Sequence, residues 1–193
     1  MIRIATEADV PAMLAIYAPY IVTTTYSFEY QVPGEEAFLQ RFRGHTEKFP
    51  WLVWEENGEI LGYAYGSAPF ERAAYAWCAE SSIYLRPEAQ GRGIGRKLYR
   101  ALEDLLRQQG YQTLYAIITS ENEGSLAFHS SVGFSHLAEF PRCGYKFGRW
   151  AGVVWMEKRL NSVECPSNPP APWSAFVANV QKMEDILDTL SLS

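Results

Sequence analysis

The chain has 193 residues, of which 48% are hydrophobic, 15% aromatic and 20% charged, a composition that suffices for a packed core and excludes a disordered polymer. At roughly 150 residues per domain, this length predicts one domain with a modest extension. Seventeen basic against 22 acidic residues leave a net charge of −5, so no basic field exists to hold a nucleic acid.

Ile2 to Ala5 read as a short strand, followed by a helix over residues 10–18 capped by Thr6 or Asp9. Pro11 favours Asp9, because proline is tolerated in the first helical turn. Residues 23–30 are β-branched and aromatic without helical spacing, which predicts a loop or irregular strand beside a site. Pro33 and Gly34 close it before a second helix over residues 35–47. Two apolar runs, 51–55 and 60–67, flank Asn57-Gly58, a dipeptide that predicts an antiparallel hairpin.

A strand over residues 75–85 stops at Arg86-Pro87. The helix that follows ends at Gln109, with Leu98, Leu102, Leu105 and Leu106 in one apolar stripe and Gly110 just beyond the end. Further strands are predicted at 113–119, 135–140 and 153–160, with a short helix over 125–132. The order β-α-α-β-β-β-α-β-α-β-β describes an α/β chain with a mixed sheet flanked by helices. After Leu160, four prolines among residues 161–174 suit an extended linker. Helical spacing over 177–190 leaves open whether the tail docks on the body, on a second subunit, or not at all. The domain is therefore expected at residues 1–160, and the linker and tail at 161–193.

Three widely spaced cysteines (Cys78, Cys143, Cys165) form neither a disulfide framework nor a metal-binding CxxC pattern. A reducing, cytoplasmic setting and no metal are expected. Charged residues appear from Arg3 onward and no run approaches about 18 apolar residues, so neither a signal peptide nor a membrane partner is expected.

Gly91, Gly93 and Gly95 lie between a strand and a helix, where backbone N–H groups and a helix N-terminus converge on a phosphate. The absence of Cβ atoms lets an anion approach. A Rossmann loop would stand in the first βα unit, and a Walker loop needs Gly-Lys-Ser/Thr; here Gly95 precedes Arg96-Lys97-Leu98, and neither pattern fits.

Gln90-Gly-Arg-Gly-Ile-Gly95 does fit another pattern, together with the strand ending Tyr84-Leu85-Arg86-Pro87 and the later Asn122, Ser125, His129 and Gly133-Phe134. Over residues 2–160 these motifs resemble the GNAT N-acetyltransferase superfamily. The resemblance implies a mostly antiparallel central sheet in which one parallel strand pair splays apart to admit acetyl-CoA. On that pattern Ile83, Tyr84 and Leu85 hold the pantetheine arm, Gly91, Arg92, Gly93, Ile94, Gly95 and Arg96 the pyrophosphate, and Asn122 with Ser125 the far side of the arm. Arg92 and Arg96 either contact phosphate or merely form a solvated helix start.

An ammonium substrate must lose a proton before it attacks a thioester. Glu80 stands in an otherwise uncharged run, 73–85, and shares a strand face with Ser82 and Tyr84. It is expected as the general base, the bland alternative being a half-exposed, salt-bridged carboxylate. His129 occupies the position where many members of the superfamily carry a tyrosine acid. The sequence leaves open whether it donates to the thiolate, takes the amine proton or binds substrate. A backbone N–H of Tyr84 or Leu85 is the expected donor to the developing oxyanion. His45 and His136 read as bland.

The segments containing Phe28, Arg72-Ala-Ala-Tyr75, Trp77-Cys-Ala-Glu80 and Gly144-Tyr-Lys146-Phe-Gly148-Arg-Trp150 are similar to phosphinothricin and methionine sulfone/sulfoximine N-acetyltransferases. That similarity implies a small amino-acid-like amine as acceptor, with Arg72, Tyr75 and Phe28 supplying a guanidinium, a hydroxyl and an aromatic wall. It also implies a homodimer. Lys146 and Arg149 either add charge or sit at a subunit contact. The rival readings are a peptide or protein-lysine acetyltransferase and a non-catalytic acyl-CoA-binding sensor.

Overall fold

A computed structural model describes residues 1–177. Strand β1 (Ile2–Ile4) leads through a single 3-10 turn into α1 (Val10–Thr23). Asp9 fixes this entry: its carboxylate accepts from the Thr6 amide at 2.8 Å and from two Arg3 nitrogens at 2.7 Å each. The helix continues past Pro19, further than its sequence predicts. Two threonine hydroxyls bond back to carbonyls near that proline, Thr23 to Pro19 and Thr24 to Tyr20, both at 2.7 Å. Burial of Tyr17 and Ile21 holds the last turns against the core.

Helix α2 (Glu35–Thr46) precedes the hairpin β2 (Trp51–Glu56) and β3 (Glu59–Ser67). Asn57 and Gly58 take φ of 53° and 79° at its turn, the left-handed pair that matches the twist of the flanking strands. Then come β4 (Cys78–Leu85), α3 (Ile94–Gln109), β5 (Thr113–Thr119), α4 (Glu123–Ser131), β6 (Ser135–Lys146), β7 (Arg149–Arg159) and α5 (Trp173–Val177). The sheet order is β1-β2-β3-β4-β5-β7-β6, antiparallel throughout except for the parallel pair β4 and β5. This is the mixed sheet expected. β4 starts later than predicted because Ala73–Tyr75 form a 3-10 turn. β6 runs beyond Phe140 because a register shift between Phe140 and Gly144 takes Pro141 out of the ladder.

The two-residue period of the strands sorts their side chains onto two cores. Leu52, Ala64, Ala79 and Leu114 pack against the leucine stripe of α3, whose Leu98, Leu102, Leu105 and Leu106 are fully buried; each such leucine contributes roughly 1.5–3 kcal/mol. Trp51, Val53 and Tyr63 point the other way, onto α1 and α2. On β4 this places Ala79 and Ser81 toward α3, and Glu80, Ser82 and Tyr84 toward α1 and α2.

The proline-rich segment carries no helix or strand from 161 to 172 and is packed on the body. Trp77 Nε1 donates to the Asn168 carbonyl at 3.2 Å, and Gln109 exchanges bonds of 2.8 and 2.9 Å with the backbone of Ala171. Trp173 joins the α3 core at 3% exposure. The helix predicted over 177–190 lies outside the described residues but for Val177. Among the described residues, no helix is long and apolar enough to cross a membrane.

Candidate active site

The β4–β5 ladder holds only three residue pairs, ending at Glu80↔Tyr115, although β4 continues to Leu85 and β5 to Thr119. β5 stays paired with β7 through Thr119, and β4 stays paired with β3 through Leu85. A gap therefore opens between two strands that are each secured on the opposite side. Ser82, Ile83 and Tyr84 line one wall of this gap, Ile117 and Thr119 the other, and Asn122, Ser125 and His129 of α4 close it.

The gap leads into a groove of about 500 Å³ lined by Gly91, Gly93, Gly95, Arg96, Asn122 and Ser125, with Ile83 and Leu85 at its inner end. Gly91 and Gly93 take φ of 71° and 80°, which other residues adopt only with strain, and a Cβ on either would meet nothing within 4 Å. Open space over two left-handed glycines at the start of a 16-residue helix is a cradle for an anion. The residues thus fit a phosphorylated ligand whose extended arm enters the sheet.

The other predicted ligands are distributed less evenly. Ile94 is buried in the core, so it can serve the groove only through its backbone. Arg96 lines the groove and donates to Ser131, whereas Arg92 is paired with Glu56 at 2.7 Å. Asn122 caps α4 by accepting from the Ser125 amide at 3.1 Å.

Beyond the gap, on the face toward α1 and α2, lies a cavity of about 480 Å³ that contains Glu80. Burial pushes the Glu80 carboxyl up from 4.5 to about 7, no other cause being resolved. Its half-protonation point thus lies where a base near neutrality is most effective. Phe28 lines the same cavity. Arg72 and Tyr75 do not: they line a second cavity of about 470 Å³, walled by Pro169, Pro170 and Pro172 of the tail. Phe70 lines that second cavity too, its ring tilted against Tyr75 at 4.5 Å and edge-on to Tyr115 at 6.2 Å, with Tyr115 in register with Glu80.

His129 is 3% exposed, and both its ring nitrogens are engaged. Nδ1 lies 2.8 Å from the Ser125 carbonyl, which can only accept, so Nδ1 carries the hydrogen. Nε2 then accepts from the Tyr99 hydroxyl at 2.7 Å, and Tyr99 in turn meets the Ser81 hydroxyl. Burial holds the imidazole below its ordinary 6.5 and therefore neutral at pH 7.

Sequence reasoning missed three features. Tyr99, one residue from the leucine stripe, gives no signal until α3 is laid against Ser81 and His129. Arg41 and Glu29, paired at 2.8 Å, line the Glu80 cavity from α2 and the 24–30 loop. Lys146, 2% exposed, donates to the carbonyls of Ile21 and Ser27 at 2.6 Å each, tying the hairpin of β6 and β7 to the end of α1 and to that loop. The hairpin motif itself had marked Lys146, though not this use of it.

Comparison with known proteins agrees with this geometry. The sequence profile of the acetyltransferase (GNAT) domain matches residues 2–155. The chain is 36% identical over 163 residues to the phosphinothricin N-acetyltransferase of Alcaligenes faecalis, covering 83% of each chain. It is 36% identical over 165 residues to the L-methionine sulfoximine/L-methionine sulfone acetyltransferase of Pseudomonas aeruginosa, covering 83% of this chain and 94% of that one. Among solved structures, a phosphinothricin acetyltransferase of Sinorhizobium meliloti in complex with acetyl-CoA superposes with a TM-score of 0.81 at 32% identity, covering 89% of this chain and 92% of that one. The chain belongs to the GNAT acetyltransferase family. It is an acetyl-CoA-dependent N-acetyltransferase.

Proposed function

We propose that the acceptor is a small α-amino acid whose amine is deprotonated by Glu80 in the 480 Å³ cavity. The amine nitrogen attacks the thioester carbon, the carbon–sulfur bond breaks, and the electron pair leaves on the thiolate. Glu80 takes the ammonium proton, directly or through water, before the attack, and the second proton that nitrogen sheds as the amide forms passes through water to the thiolate. The observation that carries this reading is one half-buried carboxylate on the face of β4 where the parallel ladder ends. The reading draws support from relatives named for phosphinothricin and methionine sulfone.

Gly91, Gly93 and Gly95 cradle the pyrophosphate, Ile83 and Tyr84 receive the arm, and Phe28 forms an acceptor wall. His129, neutral and doubly bonded, is a positioning residue that holds Tyr99 and the floor of the gap. The reading extends to a cytoplasmic homodimer, supported by the exposed Phe140, Tyr145, Phe147 and Trp150 on the hairpin of β6 and β7.

Thiol release from acetyl-CoA, with phosphinothricin, methionine sulfone and a lysine peptide as acceptors, tests the proposal. Glu80→Gln is expected to lower kcat by about 10² or more with little change in acetyl-CoA affinity. Unchanged turnover would remove the base, and a preference for the peptide would remove the acceptor class.

A further inference from the structure

The phosphinothricin-type acceptor carries two negative groups, a carboxylate and a phosphinate; the methionine sulfone type carries one. The cavity containing Glu80 has a charge inventory that separates them. Among the described residues lining it, Arg41 is the one lysine or arginine side chain, and Glu29 already occupies part of its guanidinium at 2.8 Å. Tyr17 adds a donor to the same Glu29 carboxylate at 3.3 Å, which fixes it beside Arg41.

Neighbouring cations are committed elsewhere. The Lys146 ammonium is turned onto two backbone carbonyls, and Arg149 is paired twice with Glu121. Arg72 lines the second cavity and not this one. His45 lines the Glu80 cavity and stacks on Tyr65 at 5.7 Å. Its Nδ1 is buried with no partner among the described residues, and burial, then Arg41, hold the ring below 6.5. At pH 7 it therefore offers a neutral polar edge and no positive charge.

A half-buried cavity with one shared guanidinium matches one anion, because a second would be desolvated without a counterion. Building on the acceptor reading above, we infer that the Arg41–Glu29 pair selects the acceptor by charge. Arg41 takes the single α-carboxylate, Glu29 repels a second anion, and the side chain ends in a neutral oxygen acceptor such as a sulfone, sulfoximine or amide, set against His45 and Tyr65. The acceptor class is thus a monoanionic amino acid with a neutral polar tip, and phosphinothricin is a poor substrate.

The test compares kcat/KM for L-methionine sulfone and phosphinothricin with the full chain and acetyl-CoA. The wild-type ratio is expected to favour the sulfone by about tenfold or more. Glu29→Gln, which keeps the shape and removes the charge, is expected to narrow that ratio about threefold or more by improving phosphinothricin. Arg41→Gln is expected to lower kcat/KM for both about tenfold, chiefly through KM. A wild-type ratio at or below one, or a ratio that Glu29→Gln leaves unchanged, overturns charge selection while leaving the acceptor reading in place. Turnover with neither compound overturns both.

Discussion

The Tyr99 hydroxyl and the His129 Nε2 lie 2.7 Å apart, so a tyrosine on α3 and a histidine on α4 share one hydrogen across the floor of the gap. Tyr99→Phe leaves Nε2 buried and unpaired, and a loss of about 1–3 kcal/mol in stability is expected from chemical denaturation. The same geometry sets a pH dependence. His129 is held below its unfolded value of 6.5, so the unfolded chain binds the extra proton first. The stability at stake is fully present above pH 6.5 and declines as pH falls below it. Because Glu80 titrates with the opposite sign over the same range, the test is made in the Glu80→Gln background, where a melting temperature flat from pH 7.5 to 5 would contradict the neutral, doubly bonded imidazole.

Glu80 couples activity and stability in opposite senses. Only its carboxylate can accept a proton, so kcat/KM is expected to rise with pH and level off above about 7. Its folded value lies above the unfolded 4.5, so stability is lost as pH rises from 4.5 through 7. Glu80→Gln is therefore expected to be nearly inactive yet more stable than wild type at pH 8, by up to about 3 kcal/mol, with no gain at pH 4. Melts at both pH values, set beside rate profiles, check the two signs.

Gly144 and Phe28 cannot both keep their places if Gly144 gains a side chain, since its Cβ would overlap the Phe28 ring. Gly144→Ala is expected to push the ring into the acceptor cavity, raising the acceptor KM about tenfold while the acetyl-CoA KM stays within about twofold. Steady-state kinetics with each substrate varied in turn distinguish this from general damage, which would move both.

Truncation after Asn161 leaves Gly91, Glu80 and the gap untouched but removes Trp173 from the α3 core. A loss of about 3–5 kcal/mol is expected, with activity retained well below the lowered melting temperature. Activity abolished at 10 °C in a folded truncate would show that the tail does more than pack.

The legible parts were those written in short spans of sequence. Asn57-Gly58 announced its hairpin because both positions tolerate positive φ, and the leucine stripe of α3 announced its buried face. The three-glycine loop and the lone Glu80 were visible because few residues suit those places. Illegible were features made by distance: Arg41 and Glu29 stand 12 positions apart on different elements, and Lys146 reaches a carbonyl 125 residues away. Arg72 had the right chemistry for an anchor, but no local pattern reveals that it lines a different cavity from Glu80. Two elements run past a proline, α1 beyond Pro19, where burial of Tyr17 and Ile21 holds the last turns, and β6 beyond Pro141, where a register shift takes that residue out of the ladder.

The chain of contacts from Tyr115 through Ser81 and Tyr99 to His129 and Ser125 has one more consequence. It braces the mouth of the divided sheet from below before any thioester arrives, so most of the ordering cost is met during folding rather than at encounter. Acetyl donor capture should then resemble docking into a fixed slot, with adaptation confined to the amine side.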